Sequence, residues 1–109
     1  MTSSAAERVA RAGEQAVRRV SRRSTGWWRT RTPRGRTRAE AVTELVRTIA
    51  DTAHAIEGTT MHGTPPAPPR EDVLADQLAV VTYDLVLVAT DEAADHALAA
   101  YAATMAEVD

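Results

Sequence analysis

The chain has no cysteine, which excludes a disulfide framework, a thiolate metal site and a cysteine nucleophile. It has no lysine either: all thirteen basic residues are arginine. Arginine is the planar, bidentate cation suited to carboxylates and phosphates, but a GC-rich coding sequence produces the same bias, so arginine content alone assigns no binding function. No apolar run is long enough to span a membrane, and the start lacks the apolar core of a signal peptide. The twin arginine in SRRSTGWWRTR is followed by more arginines where an export signal needs a hydrophobic stretch. A cytoplasmic location is therefore expected. The five glycines are scattered, so Walker-type and Rossmann-type phosphate loops are absent, as is a glycine-rich nucleophile elbow. With only His54, His62 and His96 as neutral-pH bases, neither an enzyme nor a cofactor is expected.

What is present is a strong charge asymmetry. Residues 1–38 hold eleven arginines against Glu7 and Glu14, a net charge of +9, whereas residues 39–109 hold two arginines against thirteen acids, a net charge of −11. Such a division marks a basic arm for polyanions joined to a body with another task. The alternative is that the basic half folds onto the acidic half and the charges cancel internally.

Four helices are legible. Ser4 and Glu7 have capping-box spacing, and Ala5, Val9, Ala12, Ala16 and Val20 share one stripe, predicting a basic amphipathic helix over 5–23. Its other face carries Arg8, Arg11, Arg18, Arg19 and Arg22. Residues 24–36 contain Gly26, Pro33 and Gly35 without periodicity and read as an extended Arg-rich connector. Thr37 with Glu40 forms a second capping box; Val42, Leu45, Val46, Ile49, Ala53 and Ile56 follow at helical spacing until Gly58. The loop after Gly58 carries PPAPP, read as a stiff spacer. A third helix is predicted over about 70–89, with Leu74, Leu78, Val81, Leu85 and Val88 on one stripe. Val73, Val80, Tyr83 and Leu87 form a second apolar strip on roughly its opposite side, the expected dimer face. Thr90, Asp91 and Glu92 cap and charge a fourth, alanine-rich helix whose stripe is Ala94, Leu98, Tyr101, Met105 and Val108.

The expected fold is thus all-α: a helical domain at 1–23, a connector at 24–36 and an acidic three-helix bundle at 37–109. The first helix either completes the bundle as a fourth member or stays peripheral. Asp51, His54 and Glu57 lie three residues apart, but on the helical wheel His54 points to solvent, so no metal site is expected. The acids of DEAADH, Asp91 to His96, are explained by the helix macrodipole.

The stretch RTRTPRGRTR, Arg29 to Arg38, places five arginines in ten residues. Its TPRGRTR portion resembles the AT-hook, a short motif whose Pro-Arg-Gly-Arg-Pro core lies in the DNA minor groove. The resemblance covers about five residues and departs from the motif at Thr37, where a second proline is expected. It implies that Arg34 and Arg36 enter an A·T groove on either side of Gly35, with Arg29, Arg31 and Arg38 on flanking phosphates. Trp27 and Trp28, beside these arginines, suit base stacking or a membrane interface, while one ring is expected to cap the bundle end. Two functional readings follow. The first is a small DNA-associated accessory or regulatory protein with a basic arm and a dimerising or partner-binding body. The second is an interaction or scaffold protein without nucleic-acid binding; a peripheral membrane role is disfavoured because Val and Ala penetrate lipid poorly.

Overall fold

The computed structural model describes residues 4–58 and 70–109. Five α-helices account for most of them: α1 (Ala5–Val20), α2 (Thr25–Arg29), α3 (Arg38–Glu57), α4 (Val73–Val88) and α5 (Asp91–Val108). The protein is all-α; among the described residues the only β feature is a single bridge between Arg31 and Thr37. PPAPP and His62 lie outside the described residues.

Every helix start except that of α4, where Asp72 makes no side-chain cap bond, uses a side-chain oxygen that satisfies an otherwise orphaned N–H. Ser4 accepts from the Glu7 N–H, Thr37 and Glu40 form a reciprocal capping box, and Thr90 accepts from the Ala93 N–H. Gly58 ends α3 in the left-handed conformation, φ 67°, which a glycine adopts without Cβ strain. Helix α1 stops at Val20, three residues earlier than its charge pattern suggests. Ser21 turns its N–H and its hydroxyl onto the Val17 carbonyl, and Arg22 takes φ 59°. Helix α4 starts at Val73, because residues 71 and 72 form a turn.

Both α1 and α3 pack against α4 and α5, while α1 and α3, like α4 and α5, make no close backbone approach to each other. Ion pairs reveal the directions. Arg8 meets Asp91 and Asp95, and Arg19 meets Asp109, so α1 and α5 run parallel. Arg38, at the start of α3, donates to the carbonyl of Val108, so α3 opposes α5. Only two residues separate the end of α4 from the start of α5, and α4 therefore runs against α1 and along α3. The end of α3 and the start of α4 consequently lie at opposite ends of the bundle.

Helix α1 is a full member of this bundle. Its Val9, Ala16 and Val20 are buried in the same core as Val42, Leu45 and Ile49 of α3, Leu74, Leu78 and Leu85 of α4, and Ala94, Ala97 and Tyr101 of α5. The thin apolar stripe of α1 suffices because small residues permit close approach. Gly13 faces Thr82 of α4 so tightly that a Cβ there would stand 2.1 Å from the Thr82 methyl. The Thr82 hydroxyl in turn pairs with the Tyr101 hydroxyl at 2.6 Å, joining α4 to α5 through the core.

Candidate interaction surfaces

The segment read as an extended connector is instead folded. Ser24 caps the single-turn helix α2 by accepting from the Trp27 N–H. Beyond it the chain closes a hairpin: the Thr32 N–H donates to the Arg36 carbonyl at 2.7 Å, Gly35 to Thr32 at 2.9 Å, and Arg38 to Thr30 at 3.0 Å. Gly35 has φ 85° with nothing within 4 Å of where a Cβ would stand. The turn therefore uses its backbone freedom, whereas a minor-groove role would use its lack of a side chain.

The hook arginines meet carboxylates of the body. Arg36 donates from Nε and Nη2 to the two oxygens of Glu107 at 2.8 and 2.7 Å and pairs also with Glu44. Thr32 and Arg34 add bonds to Glu107 at 2.8 and 3.3 Å. The Glu107 side chain is only 6% exposed. The Arg36 hydrogen bonds hold its carboxyl at about 2, well below the usual range, against the opposing effect of burial. The Arg36 guanidinium is raised correspondingly, chiefly by Glu107 and then by Glu44. Arg31 turns back onto the Gly35 carbonyl. Arg29 reaches Glu71 at 3.1 Å, and Arg38 donates to the carbonyls of Val108 and Trp27 at 3.0 and 3.3 Å. The basic half thus folds onto the acidic half at these positions, the alternative that the charge asymmetry left open. Away from the loop, Asp91 and Asp95 serve Arg8 as well as the α5 macrodipole.

The two tryptophans separate in role. Trp28 is buried, 1% exposed, and closes the end of the core, although among the described residues its indole N–H has no hydrogen-bond partner. Trp27 is half-buried, edge-on to Trp28 at 4.9 Å, and carries the guanidinium groups of Arg23 and Arg38, each 4.8 Å from its ring centroid. That ring is engaged within the fold.

Among the described residues, helix α4 presents the largest apolar exposure. Val80, Tyr83 and Leu87 are 60%, 63% and 65% exposed, and Val73 is half-buried at the helix start. Beside them, between α1 and α4, lies a hollow of about 340 Å³ lined chiefly by Ala10, Gly13, Val17, Ala79, Thr82 and Val86. His54 is half-buried on the α4 side of α3, lining a smaller hollow with Val80 and Asp84, a correction to its expected solvent-facing position. A helical wheel marks only the core stripe of α3, whereas α4 packs along the flank that carries His54.

Glu44, Glu107 and Asp95 escaped sequence reasoning as partners of arginine. They lie 8, 71 and 87 residues from the arginines they bind, and no local pattern announces pairings of that kind. No family model, curated protein or solved structure matches the chain. Its class is therefore defined by architecture alone: an all-α bundle with an exposed apolar helix face and an internally paired basic segment.

Proposed function

We propose that the protein is a small non-enzymatic interaction module whose partner contacts the outer face of α4. The supporting observation is the row of Val80, Tyr83 and Leu87 standing in solvent beside an apolar hollow. Contiguous apolar surface of this kind on a small chain marks a protein contact. Because the chain has no cysteine, Leu87→Cys introduces a single thiol there. The thiol should be shielded from a maleimide inside the source cell, whereas Ala99→Cys, exposed on α5, should label freely. Equal labelling of both would refute the reading.

DNA association is a second reading, favoured by a separate observation. Arg22, Arg23, Arg29, Arg31 and Arg34 keep exposed side chains within one short stretch of chain. For Arg34 and Arg36 to enter a minor groove they must first leave Glu107. Glu107→Gln should then strengthen binding to an A·T-rich duplex, and an unchanged affinity removes this reading.

A further inference from the structure

We infer that the occupant of the α1–α4 face is a second copy of this chain, placed by a two-fold axis running along α4, so that Val80 and Leu87 of each copy fill the hollow of the other. This inference rests on the interaction reading above and adds to it the partner and its orientation.

The face carries both a projection and a recess. Val80 stands on the α3 side of α4, where it borders Ala53 and His54. Leu87 follows seven residues later, nearly two full turns, and so shares that edge. The hollow lies on the other edge, toward α1, where Tyr83 and the stems of Glu14 and Arg18 line it together with the small Ala10, Gly13 and Ala79, and its volume of about 340 Å³ admits a branched side chain. In a two-fold interface each patch meets its own image. An axis along α4 exchanges the two edges, setting the projection of one copy over the recess of the other, twice. An axis across α4 would set projection on projection and leave both hollows open. Tyr83, between the edges, would meet the Tyr83 of the second copy near the axis.

Charge agrees with the same orientation. Helix α1 opposes α4 with Gly13 facing Thr82. Arg18, five residues beyond Gly13, and Asp76, six before Thr82, therefore stand at nearly the same height, about 7.5 and 9 Å along the bundle from that contact. Both are exposed. Exchanging the edges brings Arg18 of each copy toward Asp76 of the other. The area lies at the lower end of what a specific interface needs. Two 16-residue helices, each about 24 Å long and 8–10 Å apart, offer roughly 500 Å² in projection, and more over their corrugated surface, against about 800 Å² per partner in a standard interface.

The test is the mass in solution of the purified full chain at micromolar concentration, by light scattering and sedimentation equilibrium. The wild type should show twice the chain mass of 11.7 kDa. Leu87→Glu should be monomeric with unchanged helical circular dichroism, since the site is exposed. Arg18→Glu and Asp76→Arg should each weaken dimerisation about tenfold, because each change acts twice in a symmetric dimer and turns attraction into repulsion. The double exchange should restore it to within a few-fold. A dimer unmoved by Leu87→Glu, or a double exchange that restores nothing, overturns the inference. So does a monomeric wild type. If Leu87→Cys is nevertheless shielded in cells, that result sinks the second copy alone; if it labels freely, the interaction reading falls too.

Discussion

Arg36 and Glu107, 71 residues apart in the chain, face each other through two hydrogen bonds of 2.8 and 2.7 Å. This contact ties the hairpin before α3 to the last turn of α5. It holds a glycine-centred arginine segment in a closed turn. The Glu107 carboxyl at about 2, against its usual 4.5, makes the contact a source of stability with a definite pH signature. A lowered carboxyl contributes fully above about pH 4.5 and loses its contribution as the pH falls from there through about 2. Glu107→Gln should therefore cost about 2 kcal/mol at neutral pH. In urea titrations the gap between wild type and variant should shrink below pH 4.5 and close near pH 2. A gap independent of pH would mean that the charge of Glu107 is not what stabilises.

Removal of residues 1–38 tests the place of α1. An independent arm would leave the body at 39–109 helical, but Val9, Ala16, Val20 and Trp28 belong to the shared core. The truncated chain should lose cooperative thermal unfolding and expose apolar surface, since it forfeits several buried side chains at about 1.5–3 kcal/mol for each large one. A cooperative melt from the fragment would show that the body folds without α1.

Gly13→Ala sets helix propensity against packing. In an isolated helix alanine gains up to about 1 kcal/mol over glycine, yet the added methyl would stand 2.1 Å from the Thr82 Cγ2. Overpacking should win, for a net loss of about 1–2 kcal/mol by denaturant unfolding. Thr82→Ala in the same chain removes the clashing methyl and should recover part of it. A stabilised Gly13→Ala would mean that α1 and α4 are farther apart than described.

Tyr101→Phe removes the hydroxyl that pairs with Thr82 at 2.6 Å in the core. Leaving the Thr82 hydroxyl without its partner should cost about 1 kcal/mol. Burial pushes the Tyr101 phenol up to about 12, so the ultraviolet difference between wild type and variant should show a phenolate forming only near that pH. A phenolate appearing well below it would place Tyr101 in contact with water.

Much of the local structure is legible from short-range chemistry. The cap at Thr37 with Glu40, the stop at Gly58 and the cap at Thr90 depend on residues within four positions of one another, and all three act as their spacing suggests. The stripe from Val42 to Ile49 faces the core because a 3.6-residue period leaves it one side to bury. The second strip of α4 is exposed at Val80, Tyr83 and Leu87, as an apolar pattern on both sides of a helix implies. The hairpin at 30–38 is less legible. Its turn depends on Gly35, but what secures it is Glu107, and a pairing 71 residues long leaves no periodic trace.

By itself, then, the sequence determined the helical class, the main caps, the core stripes and the charge division, because each arises from residues close in the chain and from the geometry of a helix. Only the tertiary structure decided what the charges do and where α1 sits. An arginine beside a glycine has the same local chemistry whether it meets a phosphate or a carboxylate. Which one it meets depends on the direction in which α5 returns, and that direction follows from how the helices bury their stripes together. The same packing set Gly13 against Thr82 and left one face of α4 uncovered.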